Sequence, residues 1–196
     1  MKTTGISIES HGERRRARLE ALLSWLELPV LTVFTVVLVF SFVLRLVQVN
    51  GASMQKTLWT GDRLVMTELF YTPADGDIVV VRADVLSINL IKRVIGTAGQ
   101  DVVIDYNTST VTVDGEVLSE DYLFEPMEDR DDFDRSFCIA AGVYEYHVPA
   151  DCVFVLGDNR NDSNDSRMIG FLSEDDVLGH AVYRMKSIDA QTGFVK

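Results

Sequence analysis

The sequence predicts a mainly β protein, a coiled sheet or barrel carried behind one N-terminal membrane helix. Three observations lead there. The run "LPVLTVFTVVLVFSFVL", Leu28–Leu44, holds 17 residues without a charge. Beyond residue 50 the chain breaks into short segments rich in Val, Ile and Thr, bounded by Gly, Asp, Asn or Pro, which is the pattern of strands and turns. No long amphipathic helical repeat follows residue 50. A chain of 196 residues has room for one moderate domain, or for one domain and an anchor.

The first element is the apolar run. A helix of about 20 apolar residues crosses a bilayer core, and "RLVQV" extends the run past Arg45, whose long side chain can reach the headgroups. A buried β segment would favour the same Val, Thr and Phe, but strands seldom run this far without a turn. A cleaved secretory signal has an apolar core of about 7–15 residues and a small-x-small site. This run is longer, and no Ala-x-Ala site closes it. The reading is a retained anchor at 28–48, after an N-terminal segment at 1–27. The cluster Arg14, Arg15, Arg16 and Arg18 precedes the anchor. By the positive-inside rule it places the N-terminus in the cytoplasm and the remainder outside a plasma membrane, as a single-pass protein.

The formal net charge of −12 argues against a nucleic-acid partner, which calls for a basic face. From Leu46 onward 12 Lys and Arg stand against 26 Asp and Glu, so the acidity belongs to the part after the anchor and gives it a well-solvated surface.

The strand-like segments are "DRLVMTELF", "GDIVVVRAD", "INLIKRVIG", "DVVIDY", "STVTVDGEVL", "YEYHVP" and "CVFVLGD". The Asp-Gly in "TVDGEV" is a strong hairpin signal. Residues 119–135, "SEDYLFEPMEDRDDFDR", read as a solvated acidic loop. The domain is therefore 49–196, with a core at 49–103 and 150–190 and an insertion at about 104–149. Cys138 and Cys152, with 13 residues between them, could form a disulfide outside the cell or serve as small apolar residues.

The chemistry is sparse. Of the three histidines, His11 precedes the anchor, and His147 and His180 sit alone on strand-like segments. No Cys/His/carboxylate cluster has metal spacing, and no glycine-rich phosphate loop is present. The expectation is no metal and no cofactor. Two segments resist a bland reading. In "INLIKRVIG" Lys92 and Arg93 point to opposite faces of one strand, so at least one cation is desolvated if the sheet covers a core. A desolvated lysine loses proton affinity and can act as a base near neutral pH; the alternative is an edge lysine kept in water against aggregation. "GDNRNDSNDSR", Gly157–Arg167, is dense in Asp and Asn. It fails the calcium-loop pattern, since the sixth position from Asp162 is Arg167 and the twelfth is Ser173. It is either an Asx-turn surface loop or a buried polar network behind a site.

Four blocks, "SMQKTL" (53–58), "GDIVVV" (76–81), "KRVIGTAG" (92–99) and "GDNRNDSNDSR" (157–167), follow one anchor in this order. Together they resemble the type I signal peptidases, membrane-bound Ser–Lys proteases, whose pattern is Ser-Met-x-Pro-Thr-Leu, Arg-Gly-Asp-Ile-Val, Lys-Arg-Val-x-Gly-x-Pro-Gly-Asp and Gly-Asp-Asn-Arg-x-x-Ser-x-Asp-Ser-Arg. The resemblance covers roughly residues 20–190 apart from the acidic middle. It implies a signal-peptidase-like coiled β-sheet or barrel fold and a serine endopeptidase cleaving signal peptides after small residues at −3 and −1. It implies Ser53 as nucleophile and Lys92 as general base. It implies Gly51 and the Ser53 N–H at the oxyanion, Ser163 orienting the lysine, Met54 in substrate binding, and Arg93, Asp158, Asp165 and Arg167 bracing the site. Lys56, three residues past Ser53, sits in an exposed polar turn where an amine stays hydrated and charged, a poor base.

The implied partners are membrane-tethered preproteins with signal peptides and the bilayer itself. A secretion translocon and pilus precursors are further candidates. Four positions depart from the pattern: Lys56 and Ala98 stand where it has proline, Asp75 where it has arginine, and Gln100 where it has aspartate. A specialised member processing pilus or surface proteins and a non-catalytic assembly factor are the rival readings. A self-cleaving repressor-like protease lacks support, having no place for the membrane span.

Overall fold

The computed structural model describes residues 9–185 and 193–194. The chain divides into two compact units, one ending at Val43 and one beginning at Leu44.

The first unit is a single helix, α1 (Glu9–Val43). Within it Arg18–Ser41 has a mean hydropathy of 2.1, and none of that stretch is buried inside the protein. It is the one helix among the described residues long and apolar enough to cross a membrane. At about 1.5 Å per residue it extends about 36 Å, more than the apolar core of a bilayer. The hydroxyls of Ser24 and Thr32 donate back to the carbonyls of Ala21 and Leu28 at 3.0 and 2.8 Å, so they bring no unpaired donor into lipid. The helix stops at Val43, short of the residue 48 expected from the apolar run. Arg45–Gln48 instead pair as a strand with Arg63–Met66, because a ladder satisfies their backbone and leaves Arg45 exposed.

The second unit is mainly β. Its strands are β1 (Arg45–Gln48), β2 (Arg63–Thr67), β3 (Ile78–Ala83), β4 (Ile88–Gly96), β5 (Asp101–Asp105), β6 (Thr110–Val113), β7 (Glu116–Val117), β8 (Cys138–Ala140), β9 (Val143–His147), β10 (Cys152–Leu156), β11 (Leu172–Ser173), β12 (Val177–Met185) and β13 (Gly193–Phe194). One sheet runs β1-β2-β12-β3-β4-β10-β11, with β13 on β12; the other runs β7-β6-β5-β9-β8. Both are open at their ends, so the barrel alternative is not realised and the coiled-sheet alternative is. The "DG" turn between β6 and β7 has both residues at positive φ, Asp114 at 51° and Gly115 at 82°, as a two-residue hairpin requires.

Three apolar clusters fix these sheets. On β10, Val153 and Val155 join Val79, Val81 and Val94, while Phe154 and Leu156 join Ile95, Ile104, Tyr144 and Tyr146. Alternate residues of one strand thus serve two cores, one of which ties the sheets together, and "CVFVL" is apolar throughout because both its faces are covered. The third cluster, Val49, Met54, Leu58, Leu64, Ile78 and Ala181, lies beneath the turn that carries Ser53. The acidic stretch 119–135 has no strand, yet it is not merely solvated. Its Met127 and Phe133 are buried, drawn inward by the same core while the acids remain outside. Cys138 and Cys152 are free thiols, both partly buried against that core.

Strand β12 slips register between Val177 and Gly179 as it passes β3. Gly179 sits at φ +140°, and a Cβ there would lie 2.7 Å from Thr67 O and from Met66 Cε. Gly179→Ala is expected to lower stability by about 1–3 kcal/mol, measured as a urea midpoint on the full chain in detergent. An unchanged midpoint would show that the bulge tolerates a side chain.

Candidate active site

The turn after β1 is pinned at its base: Val49 N donates to Asp62 O at 2.8 Å and Gly61 N to Val49 O at 2.9 Å. Within it Leu58 N reaches Met54 O at 2.7 Å, and both side chains are buried. Asp62, itself buried, is paired with Arg184 of β12 at 2.7 Å. Arg184 also donates to Thr57 O at 2.8 Å. Gly51 lies at φ +109° with nothing near its Cβ direction, so glycine is favoured there by backbone conformation and not by crowding. Ser53 is thereby held between a bend and an anchored Met54. Met54, expected to contact substrate, contributes mainly to the core beneath, though it also lines the groove described below.

Strand β4 supplies the amine. Lys92 stands opposite Val79 of β3 and is 1 % exposed; Arg93 is 3 % exposed. Both cations are therefore buried, where the alternation argument required only one. Lys92 Nζ donates to Ser53 Oγ at 2.7 Å and to Ile91 O at 3.1 Å. Lys92 makes no ion pair among the described residues. Burial pushes its ammonium down to about 8, and the charge of Arg167 acts in the same direction; Asp165, Asp158 and Asp162 oppose the shift.

The Gly157–Arg167 loop is the buried polar network and not a surface turn. Arg93 grips Asp158 through Nε (2.9 Å) and Nη2 (2.7 Å) and also donates to Gly76 O at 2.7 Å. Arg167 grips Asp165 in the same two-pronged way at 2.8 and 2.9 Å and donates to Arg160 O at 2.6 Å. Gly157 N donates to Asp165 at 3.1 Å. The guanidinium of Arg167, helped by the Ser163 hydroxyl and that N–H, holds the Asp165 carboxyl below its ordinary value despite burial. Ser163, expected to orient Lys92, is buried in this loop. Its hydroxyl makes no hydrogen bond of full geometry and lies where a Cβ on Gly157 would fall, at 2.3 Å. Asn159 N donates to Ser53 O at 2.9 Å, which couples this loop directly to the turn.

Sequence reading passed over several participants. Thr57 donates to Asp158. Arg160, wholly buried, pairs with Glu120 and donates to Gly157 O at 3.0 Å. Tyr122 lies 4.0 Å under the Arg93 guanidinium, and Asn161 accepts from Glu128 N at 2.9 Å. The acidic stretch thus straps the loop from outside. Thr57, Asn159 and Arg160 lay inside quoted motifs, but nothing local marked Glu120 or Tyr122. The departures also find partners. Lys56 Nζ donates to Asp121 O at 2.9 Å. Gln100 Nε2 donates to Asp75 at 3.0 Å, so two departures meet in space. Nothing in the structure explains Ala98. His147 is exposed beside Asp101 at 2.6 Å and His180 stacks on Tyr71 at 4.1 Å; neither approaches Ser53. Among the described residues no group of three or more His, Cys, Asp or Glu could hold a metal.

Two hollows open at the pair. A groove of about 290 Å³ runs between Val47–Gly51 and Ile88–Lys92, and a smaller one of about 170 Å³ lies toward Asp162 and Asn164. Both are bordered by Ser53 and Lys92.

A mainly β domain behind an apolar helix, with a buried amine set on a serine hydroxyl at the mouth of a groove, is the class that fold and site define. Residues 22–186 match the family described as signal peptidase, peptidase S26. A probable signal peptidase I-1 from Synechocystis sp. is 38% identical over 143 residues, spanning 67% of this chain and 66% of that relative. Signal peptidase I P of Bacillus subtilis subsp. natto is 30% identical over 171 residues, 85% of this chain and 90% of that one. A crystal structure of a signal peptidase I from Enterococcus faecalis is similar over 56% of this chain and 97% of its own, at TM-score 0.44 and 29% identity. The chain belongs to the signal peptidase S26 family.

Removing one partner of a buried charge pair strands the other. Asp158→Ala is expected to cost about 3–5 kcal/mol, read by chemical denaturation of the full chain. A loss under about 1 kcal/mol, the range of exposed pairs, would show that the Arg93 pair is not desolvated.

Proposed function

We propose that this protein is a membrane-bound serine endopeptidase that removes signal peptides from exported preproteins. The observation that carries the reading is the 2.7 Å approach of Lys92 Nζ to Ser53 Oγ in the wall of a groove lined by Val47–Gly51 and Ile88–Lys92. An amine buried among apolar side chains and held on a hydroxyl is the arrangement that activates a weak nucleophile. In its neutral form Lys92 accepts the Ser53 proton as Oγ attacks the scissile carbonyl. The tetrahedral oxyanion forms beside the Ser53 N–H, with Gly51 offering no side chain to crowd it. Collapse breaks the C–N bond, and Lys92 returns the proton to the leaving amine. Lys92 then takes a proton from water, the resulting hydroxide attacks the ester, and Ser53 recovers its proton as the product acid leaves. Ser163, Asp158, Asp165, Arg93 and Arg167 keep the amine in register.

The groove suits an extended peptide. Among the described residues the outer edge of β1 is unpaired, and β10 pairs β4 only at Arg93, Val94 and Gly96, leaving the Ile88–Ile91 edge open. A substrate strand entering there gains ladder hydrogen bonds, with small residues at −3 and −1 over shallow pockets. The apolar part of α1, Arg18–Ser41, would cross the membrane with the residues before it in the cytoplasm, and the unit from Leu44 onward would be the extracytoplasmic catalytic part. Substrates tethered in the same bilayer then meet Ser53 at raised effective concentration.

Ser53→Ala or Lys92→Ala is expected to lower preprotein cleavage by about 10³-fold or more with an unchanged circular dichroism spectrum; near-normal cleavage by Lys92→Ala would refute the pair. The pH profile carries the sign of the base. Below about 8 Lys92 is charged and inactive, so kcat/KM should rise tenfold per pH unit up to that point and then level off. A midpoint near 6.5, the ordinary histidine value, would point to a histidine base instead.

A further inference from the structure

The smaller hollow beside Ser53 has a composition of its own. It is about 170 Å³, and besides Ser53 and Lys92 its wall includes Asp162 and Asn164. In the block Gly-Asp-Asn-Arg-x-x-Ser-x-Asp-Ser-Arg these two residues occupy unspecified positions on either side of Ser163. Asp162 and Asn164 are exposed while Ser163 and Asp165 are buried, so the loop turns its framework residues inward and these two toward the opening. The loop is tied to the turn that carries the nucleophile. Asp162 N donates to Asn159 O at 3.1 Å, and Asn159 N donates to Ser53 O at 2.9 Å, so two backbone bonds fix Asp162 relative to the nucleophile. Among the described residues no lysine, arginine or histidine pairs with Asp162. Its carboxylate is close enough to Lys92 to oppose the lowering of that ammonium's pKa.

A scissile bond must lie over Ser53 Oγ. With the residues before it occupying the larger groove, the chain after it leaves through the smaller hollow. We propose that this hollow receives the first residues following the scissile bond, and that Asp162 selects there for a cationic side chain over an anionic one. The proposal rests on the reading of Ser53 and Lys92 as an endopeptidase pair. It makes Asp162 a residue of substrate preference and leaves proton transfer to Lys92.

The test uses the full chain in detergent and three peptides alike except for Lys, Gln or Glu at +1, with a second set varied at +2. An exposed charge contact changes rates modestly, so the expected Lys-to-Glu ratio of kcat/KM is about fivefold in at least one set. That ratio should shrink at high salt. Asp162→Asn should bring it close to one, and Asp162→Lys should invert it. Asp131→Asn removes one charge from the exposed acidic stretch and should leave the ratio as it was. A ratio that persists in Asp162→Asn, or that falls equally in Asp131→Asn, overturns the assignment, since the preference would then come from the acidic surface as a whole. Wild-type protein that cleaves none of the peptides, nor a preprotein, overturns the peptidase reading itself.

Discussion

A buried amine stays poor in protons only if no buried carboxylate is free to claim it. Everything around Lys92 follows from that constraint. Two carboxylates, Asp158 and Asp165, lie buried in the adjoining loop and would by themselves hold the ammonium charged. Each is instead taken by an arginine through both oxygens, Arg93 on one side and Arg167 on the other. The charge of these two buried carboxylates is thus cancelled by Arg93 of β4 and by Arg167 of the loop itself, and desolvation sets the amine's behaviour. Such pairs are costly to desolvate and contribute little net stability; what they provide is a fixed, internally neutral frame.

Close packing adds the distance control. A Cβ at Gly157 would lie 2.3 Å from Ser163 Oγ and 2.6 Å from Ser53 O. The loop backbone therefore passes against the Ser53 carbonyl with no room for a methyl group. The turn below is held by Met54 and Leu58 in the core and by the Arg184 pair to Asp62. The nucleophile is clamped from both sides, by apolar packing beneath and by the charged loop above.

Most of the fold was legible because strand length and apolar run coincide: "IVVV" and "CVFVL" are buried on both faces and bounded by turn residues. The end of the helix was not, since "RLVQV" is apolar enough for either state and only pairing with β2 decides it. Ser53 and Lys92 were readable as members of motifs, and Lys92 also as a cation in an apolar strand. Glu120 and Tyr122 were not readable. Their partners, Arg160 and Arg93, lie 40 residues ahead and 29 behind, and an acidic run gives no local sign of which carboxylate turns inward. The same run hid Met127 and Phe133, two apolar residues too far apart to make a period.

The contact between Asp75 and Gln100 carries a lesson about substitution. Where the resembled pattern has arginine and aspartate, this chain has an anion on the opposite side and an amide facing it. In this chain the two positions meet, with the amide donating and the carboxylate accepting. Gln100 also accepts from Thr97 N at 2.7 Å, so it closes its own turn while reaching across, a double task that needs both a donor and an acceptor on one side chain. A dipole-to-charge link of this kind fades less with ionic strength than an exposed ion pair does. It would hold β4's outgoing turn to the β3 entry in salt that loosens the charged version.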